Sequence, residues 1–428
     1  MKLIIFEDLN AAADFYPISL SRPVFELRCG ILNLAEKISR HLKVEPSAYL
    51  VRPYLVPTFR RRTKTAINDL SEIGSGPVLM VNGQVKSGGL SVATDGPSEI
   101  GMKGDRVVYC RLVGKDIAKI DAGKIGTETL PLVDGHNIPA RQVSAHVKLY
   151  EYSWDVMLES PHEIAHDFQL LGRRGIEGTV EQPNAIRGSK DDVYVGTGAR
   201  IHPMVVIDAS NGPVYLSEDV EVHPFTRIEG PAFVGRKSLL LGAKLREGCS
   251  IGPVCRVGGE VEESVMHAYS NKYHDGFLGH AYVGEFVNLG ALTTNSDLKN
   301  DYTDVEVILN GRKIDTHSTK VGSIIGDHTK TSIGTLFNTG SIVGAMAVIM
   351  ATGQPLPKAI PSFAWFINGV VTKGFGHKKL YETAKTATGR RKVEWTPDDL
   401  DLWEKIYEIT APERDEAIRK GRKQMVRK

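Results

Sequence analysis

Hydrophobic positions repeat with a period of six between residues 201 and 349. In the clearest run, branched aliphatic residues stand six positions apart at Leu216, Val222, Ile228, Val234 and Leu240. A helix has a period of 3.6 and a strand a period of 2, so neither explains this spacing. Six residues can form one short strand and a corner, with the aliphatic side chain pointing inwards. The pattern therefore predicts a hexapeptide-repeat parallel β-helix.

Two segments interrupt the repeat. Between residues 265 and 277, polar and aromatic side chains replace the aliphatic positions. Between residues 296 and 320, two β-type runs flank Asn310-Gly311, a pair that strongly favours a tight hairpin. We expect this hairpin to project from the solenoid. Insertions in solenoids tend to gather on the functional face, so the candidate chemistry is sought near both interruptions.

Residues 1–158 show a different pattern of hydrophobic positions. Short apolar runs such as Leu3 to Phe6 and Ala48 to Val51 alternate with loops and helical patterns, which predicts an α/β layer domain. A linker helix and a connector follow over residues 159–192, and the β-helix is expected over residues 193–355. Residues 356–428 then form a cap and a basic helical tail, whose last part starts with Thr396 as N-cap and Pro397 as first residue.

Composition and charge limit the kinds of partner that the protein is expected to bind. The net charge of +2 favours neither nucleic acid nor a membrane surface. No apolar run is long enough to span a bilayer, and Glu7 and Asp8 interrupt the apolar amino terminus, so we expect a cytoplasmic protein. The four cysteines form no CxxC pair and are expected to be buried thiols.

Motifs in the amino-terminal and carboxy-terminal halves of the chain resemble the same family. His274, followed by the segment Asn288-Leu289-Gly290-Ala291-Leu292-Thr293, resembles the acetyltransferase domain of the bifunctional N-acetylglucosamine-1-phosphate uridylyltransferases and their archaeal sugar-1-phosphate relatives. The amino-terminal motif is similar to a divergent bacterial branch of that family and comprises Pro17, Arg22-Pro23, Glu26-Leu27-Arg28 and Gly30. The likeness extends to about residue 366.

The resemblance implies a nucleotidyltransferase-like α/β domain followed by a left-handed parallel β-helix. It further implies a homotrimer in which acetyl-coenzyme A lies between neighbouring solenoids, and partners that are a small sugar phosphate and a nucleotide. Handedness and trimerisation come from the resemblance, because periodicity alone gives neither.

The chemistry of acetyl transfer selects candidate site residues. The attacking amine must lose a proton, and a histidine suits that task near neutral pH. His274 is the candidate general base, and Asn288 could position the amino sugar. Candidate substrate-binding residues near the interruptions are Lys272, Asp297, Lys299 and Lys320.

A nucleotidyltransferase needs cations for phosphates and a carboxylate-held Mg²⁺. Candidate phosphate or nucleotide contacts in the amino-terminal half are Arg22, Arg28, Lys37 and Asn82, and the candidate metal ligands are Asp8 and Asp155. The family's glycine-rich loop is missing, because residues 7–14 occupy its place. Whether this half is catalytic therefore stays open.

Departures from the family leave other functions open. Phe277 stands where the family has an aromatic hydroxyl, and Glu262 stands where it has a lysine, so the acceptor can differ. One alternative is a zinc-dependent hydratase resembling γ-type carbonic anhydrases, with His267, His274 and His280 as ligands across a subunit interface. The other is a catalytically degenerate scaffold that binds a sugar nucleotide.

Overall fold

A computed structural model describes residues 1–71, 73–93, 95–135 and 137–426. The chain divides into two compact units. Unit 1 comprises Met1–Phe15, Ser19–Leu27 and Leu32–Tyr152, and unit 2 comprises Tyr16–Ile18, Arg28–Ile31 and Ser153–Lys428. Among the described residues, no helix is both long enough and apolar enough to cross a membrane.

Unit 1 is built on a mixed seven-stranded sheet. Its strands lie in the order Ala66–Ile67, Pro46–Leu50, Lys2–Phe6, Val78–Asn82, Arg106–Leu112, Glu99–Lys103 and Ala140–Gln142. The first four run parallel, and Arg106–Leu112 runs antiparallel to both neighbours. Strands Lys2–Phe6 and Val78–Asn82 are buried on both faces, which explains their continuous apolar sequence. The predicted α/β domain is confirmed.

Two α-helices and several 3₁₀ turns accompany this sheet. Helix α1 spans Leu34–Leu42 and α2 spans Val56–Arg60. A capping box starts α1, because Asn33 accepts a hydrogen bond from the Glu36 amide and the Glu36 carboxylate accepts one from the Asn33 amide.

A buried ion pair fixes the segment that replaces the glycine-rich loop. The guanidinium of Arg52 donates to both carboxylate oxygens of Glu7 at 2.9 Å and also to the carbonyl oxygens of Ser19 and Arg22. Both residues of the pair are buried. Removing one partner of such a pair costs about 3–5 kcal/mol, because the other charge stays buried. Glu7 is therefore a structural residue of this loop.

The long segment of unit 2 begins with helix α3, Ser153–Leu171, which starts before the region 159–192 where the linker helix was predicted. It packs against the segment Arg28–Ile31. The Ser160 hydroxyl accepts a hydrogen bond from the Gly30 amide at 3.0 Å. Gly30 has a φ of +81°, and a Cβ there would lie 2.7 Å from the Glu163 carbonyl carbon, so only glycine fits.

Most of the rest of unit 2 is a solenoid with three faces, and each face is a parallel β-sheet. Face 1 contains Gly175–Ile176, Val193–Val195, Val214–Leu216, Ala232–Val234, Cys249–Ile251, Val265–Ala268, Tyr282–Glu285, Ser323–Ile325, Ser341–Val343 and Ala359–Ile360. Face 2 contains Thr179–Val180, Arg200–Ile201, Glu221–Val222, Leu239–Leu240, Arg256–Val257 and Asn271–Lys272, and isolated bridges through Asn288 continue it to Lys330–Thr331, Val348–Ile349 and Trp365–Ile367. Face 3 contains Ala185–Gly188, Val206–Ala209, Arg227–Glu229, Lys244–Leu245, Glu260–Glu262 and Phe277–Gly279, with the pair Thr294–Asn295 and Leu336–Phe337 further along the chain.

The six-residue phase marks the interior of this solenoid. Leu216, Val222, Ile228, Val234 and Leu240 are all fully buried in one hydrophobic core. All neighbouring strands of the three faces pair in parallel. The predicted β-helix is confirmed, and its parallel sheets are consistent with the left-handed form.

The first coil of the solenoid lies within the segment predicted to be a connector. Strands Gly175–Ile176, Thr179–Val180 and Ala185–Gly188 each pair in parallel with a strand of the next coil. The aliphatic residues Val180 and Ile186 of this coil pack against the core.

The predicted hairpin is confirmed. Glu306–Leu309 pairs antiparallel with Arg312–Asp315, and the turn lies at Asn310-Gly311. The four cysteines are buried free thiols, also as predicted.

Three helices follow the last coils: α4, His377–Gly389; α5, Pro397–Ile409; and α6, Ala411–Val426. Helix α5 begins as predicted, with Thr396 as N-cap in a capping box with Asp399. Strand Val370–Thr372 turns back antiparallel on Trp365–Ile367. Helix α6 packs on that strand, and a Cβ on Gly421 would lie only 2.2 Å from the Val371 carbonyl oxygen.

Candidate functional site

The corner between faces 2 and 3 carries the predicted catalytic histidine. His274 follows strand Asn271–Lys272 and is exposed, with its ring 5.0 Å from that of Tyr273. Among the described residues, its ring nitrogens have no hydrogen-bond partner. The ring is therefore accessible to a substrate.

Lys272 supports this corner from inside. Its ammonium is buried and donates to the carbonyl oxygens of Gly258 at 3.1 Å and His274 at 2.7 Å. Burial lowers the pKa of Lys272 to about 8. The structure thus places this predicted substrate-binding residue beneath the corner, where it fixes the backbone of His274.

Asn288 lies one coil further along face 2. Its backbone bridges Asn271 on one side and Lys330 on the other. Its side-chain oxygen accepts a hydrogen bond from the Asn271 amide at 3.1 Å, and the side chain is exposed. His274 and Asn288 therefore lie on successive coils, both accessible to solvent.

A cavity of about 360 Å³ opens between face 2 and helix α4. Asn288 lines it together with Lys330, Arg390 and Arg391. Arg391 also hydrogen-bonds the side-chain oxygen of Asn271, whose amide bonds Asn288. The cavity is thus connected by hydrogen bonds to one of the predicted catalytic residues.

Tyr269 and Phe286 line this cavity and belong to a stack of aromatic rings. Tyr269 stacks on Phe286 with ring centroids 4.8 Å apart, and Phe286 stacks on His328 at 5.0 Å. All three have left-handed backbone conformations at the same corner of successive coils, with φ values of 56°, 54° and 59°. Trp403 of α5 closes the stack edge-on against His328 at 5.3 Å.

Lys330 sits at the base of the cavity. Its ammonium donates to the carbonyl oxygens of Phe286 at 2.6 Å and His328 at 3.0 Å. Burial lowers the pKa of Lys330 to about 8. The sequence pattern did not predict Lys330, Arg390 or Arg391 as site residues.

A separate ion cluster lies at face 3 and comprises Arg246, Glu262, Glu263, His280, Asp297 and Lys320. His280 contacts Asp297 at 2.8 Å and Glu263 at 3.4 Å. Burial opposes a charge on this ring, but the two carboxylates outweigh it and raise the pKa of His280 to about 9. His280 is therefore a cation near neutral pH and is unsuited to act as a base.

Glu262 links the rest of this ion cluster. Lys320 contacts its carboxylate at 3.3 Å and Arg246 at 2.9 Å. The structure thus brings the predicted binding residues Asp297 and Lys320 together, but each faces an internal partner. The cluster holds the two ends of the hairpin insertion, where Leu298 bridges Lys320, to face 3.

Lys299 lies in the insertion, away from this cluster. Its ammonium donates to the Thr303 hydroxyl and to the Asp304 carbonyl oxygen, and it contacts Asp301 at 3.6 Å. These contacts are all local to the insertion.

Within one chain, the three histidines of the zinc alternative do not share a group of potential metal ligands. Among the described residues, no group of potential metal ligands contains two of His267, His274 and His280. His267 instead contacts the Tyr282 hydroxyl at 3.2 Å and Glu285 at 3.8 Å.

The amino-terminal candidates are distributed over both units. In unit 1, Arg22, Lys37 and Asn82 are buried, and the Asn82 amide donates to the Val107 carbonyl oxygen at 2.8 Å. In unit 2, the Arg28 guanidinium lies 5.3 Å from the Phe233 ring centroid and donates to the Ile31 carbonyl oxygen.

The two candidate metal ligands also belong to different units. Asp155 lies in the first turn of α3 in unit 2. Asp8, in unit 1, lines a cavity of about 400 Å³ together with Asp14 and Asp105. It contacts Arg106 at 3.2 Å and accepts a hydrogen bond from Thr129 at 3.2 Å.

Comparisons with known proteins find similarity to sugar nucleotidyl transferases and to bifunctional enzymes. Residues 3–175 match the family described as sugar nucleotidyl transferase. The chain is 33% identical over 149 residues to a bifunctional sugar-1-phosphate nucleotidylyltransferase/acetyltransferase of Sulfurisphaera tokodaii, covering 32% of this chain and 35% of that protein. It is 31% identical over 178 residues to the bifunctional protein GlmU of Methylibium petroleiphilum, covering 40% and 37%.

These matches confirm the resemblance inferred from the motifs. The chain spans little more than a third of the length of these curated relatives. Among solved structures, the UDP-N-acetylglucosamine acyltransferase of Francisella novicida is similar at 14% identity and a TM-score of 0.30, covering 54% of this chain and 78% of that one.

The ion cluster at face 3 predicts a pH-dependent stability. The folded-state pKa of His280 lies above its ordinary value of 6.5, so its contribution is complete below pH 6.5 and is lost as pH rises through about 9. Relative to His280→Gln, the wild type should lose on the order of 3 kcal/mol of unfolding free energy across this range, as measured by urea unfolding.

The variant is the control that isolates His280. The pKa values of Lys272 and Lys330 are lowered to about 8, so these lysines change the stability with the opposite sign over a higher pH range that overlaps this one. Equal pH dependence of unfolding in wild type and variant would contradict the charge assigned to this ring.

Proposed function

We propose that the solenoid transfers an acetyl or other acyl group from acyl-coenzyme A to the amino group of an amino-sugar phosphate. The observation that carries this proposal is the pairing of an accessible, unbonded His274 with Asn288 on the next coil, beside a cavity lined by arginines. The Sulfurisphaera relative, whose name joins nucleotidyl and acetyl transfer, supports it.

The proposed step follows from the chemistry of the corner. The acceptor amine attacks the thioester carbonyl, and an N–C bond forms as the C–S bond breaks. His274 takes the proton that the amine loses and passes it to the departing thiolate. Asn288 orients the amino sugar, and Lys272 holds the backbone of His274 in place.

The cavity between face 2 and α4 is the proposed coenzyme site. Arg390 and Arg391 offer guanidinium donors, which bind phosphate oxygens in paired geometry. Tyr269 and Phe286 supply an aromatic wall on which an adenine ring can stack. The coenzyme phosphates would thus lie beside Asn288, with the thioester directed towards the corner.

We further propose a homotrimer that is assembled through the corner between faces 2 and 3. Met204, Phe225, Leu292 and Ile333 all lie at this corner and are between 53% and 75% exposed. A row of exposed apolar side chains is typical of a protein interface. Because His274 lies at the same corner, a neighbouring solenoid would complete the acceptor site.

Replacement of the proposed base should abolish acyl transfer. His274→Ala should lower kcat for thiol release from acetyl-coenzyme A, with an amino-sugar 1-phosphate as acceptor, by about 10²–10⁴-fold. His223→Ala, at a similar strand end several coils earlier, is the matched control and should retain activity. Unchanged kcat in His274→Ala would remove this residue from the mechanism.

Replacement of the corner residues should disrupt the trimer. Phe225→Glu combined with Leu292→Glu should shift the mass measured by light scattering from three chains towards one, because buried carboxylates oppose association. Phe375→Glu, at a residue that is 80% exposed elsewhere, should leave the mass unchanged. A monomeric wild type would contradict the assembly.

For unit 1 we propose sugar-1-phosphate nucleotidyl transfer. The carboxylates of Asp8, Asp14 and Asp105 line one cavity and provide the oxygen ligands that Mg²⁺ prefers. The magnesium ion would neutralise the phosphate oxygens during transfer. Arg106 holds the Asp8 carboxylate at the edge of this cavity, which keeps it in position without a glycine-rich loop.

Loss of Asp8 should separate the two activities. Asp8→Asn should reduce Mg²⁺-dependent formation of nucleotide sugar by roughly tenfold or more, and should leave thiol release by the solenoid intact. Asp69→Asn, an exposed acid of unit 1 outside the cavity, is the control. If wild type binds nucleotide without turnover, unit 1 acts as a binding domain.

A further inference from the structure

The carboxy-terminal helices line a third cavity, which the proposed reactions do not use. It has a volume of about 410 Å³ and lies among α5, α6 and the loop before α4. Tyr407, Arg414, Arg419 and Arg422 line it from the helices, and Lys373 lines it from the loop. A cavity of this size falls within the range of small-molecule sites.

The lining of this cavity is strongly cationic. Four of the described lining residues carry a lysine or arginine charge, and Asp415 contributes one carboxylate. Among the described residues, Lys373, Arg419 and Arg422 form no ion pair, whereas Lys420 on the same helix pairs with Glu416 at 2.7 Å. Asp415 contacts Arg414 at 3.9 Å. The other three cations converge on the cavity and repel one another, and an anion would relieve that repulsion.

Arg414 gives the cavity a rigid donor at its wall. The residue is only 3% exposed, and its guanidinium lies 3.6 Å from the Tyr407 ring centroid. Its Nη1 donates to the Tyr407 carbonyl oxygen at 3.0 Å and to the Thr410 hydroxyl at 3.1 Å. Its Nε also contacts the Asp415 carboxylate at 3.9 Å, so the guanidinium is held in one position at the wall of the cavity.

We propose that this cavity binds a small molecule with two or more phosphate groups. Guanidinium groups recognise phosphate oxygens in pairs, and three arginines and a lysine from two elements surround one space. A concave cavity favours a small ligand over a membrane or a nucleic acid, which would need an extended basic surface.

The test is a calorimetric titration of the full chain with inorganic pyrophosphate and, in parallel, inorganic phosphate. Wild type should bind pyrophosphate saturably and more tightly than phosphate. Arg419→Ala combined with Arg422→Ala should weaken pyrophosphate binding by about tenfold or more. Lys373→Ala, on the separate loop, should weaken it as well, because both elements contribute donors.

Lys420→Ala combined with Lys423→Ala is the matched control. It removes two positive charges from the same helix outside the cavity and should change pyrophosphate binding by less than about twofold. Equal weakening in both double variants, or no saturable binding by wild type, would overturn the proposal. So would binding of anionic lipid vesicles or an oligonucleotide without binding of pyrophosphate.

Discussion

The stacking of one coil on the next is the constraint on which unit 2 depends. The backbone N–H and C=O groups of each short strand find their hydrogen-bond partners in the parallel strands of neighbouring coils. Each strand is too short to be stable alone. One aliphatic side chain per six residues fills the interior. Each coil adds one strand to each face, so side chains on successive coils are held at a fixed spacing. The relative positions of His274 and Asn288 follow from this stacking.

Polar residues enter the ladder near the corner that carries His274, and their partners explain why the fold tolerates them. Lys272 is buried, yet two carbonyl oxygens accept its hydrogen bonds. His280 is buried between two carboxylates. These groups stabilise only because each is paired, since an isolated buried charge costs several kcal/mol. Where the coils are interrupted, polar side chains therefore replace part of the apolar interior, and their hydrogen bonds fix the surface residues in position.

The sequence predicts what depends on local pattern. The solenoid core, the Asn310-Gly311 hairpin and the capping of α5 each follow from residues close in the chain. The first coil was not predicted, because its strands contain few aliphatic residues; Ile176 and Ile186 are two of them. The ion cluster and the cavity beneath α4 could not be derived, since their partners meet only across coils or through helices more than a hundred residues away, as Asn271 and Arg391 do.

The most direct test of the central claim is product analysis by mass spectrometry. The full chain would be incubated with acetyl-coenzyme A, an amino-sugar 1-phosphate, a nucleoside triphosphate and Mg²⁺. We expect a product that carries both an acyl group on its nitrogen and a nucleotidyl group on its phosphate. Recovery of the amino sugar without an acyl group, across a panel of amino-sugar phosphates, would contradict acyl transfer by the solenoid.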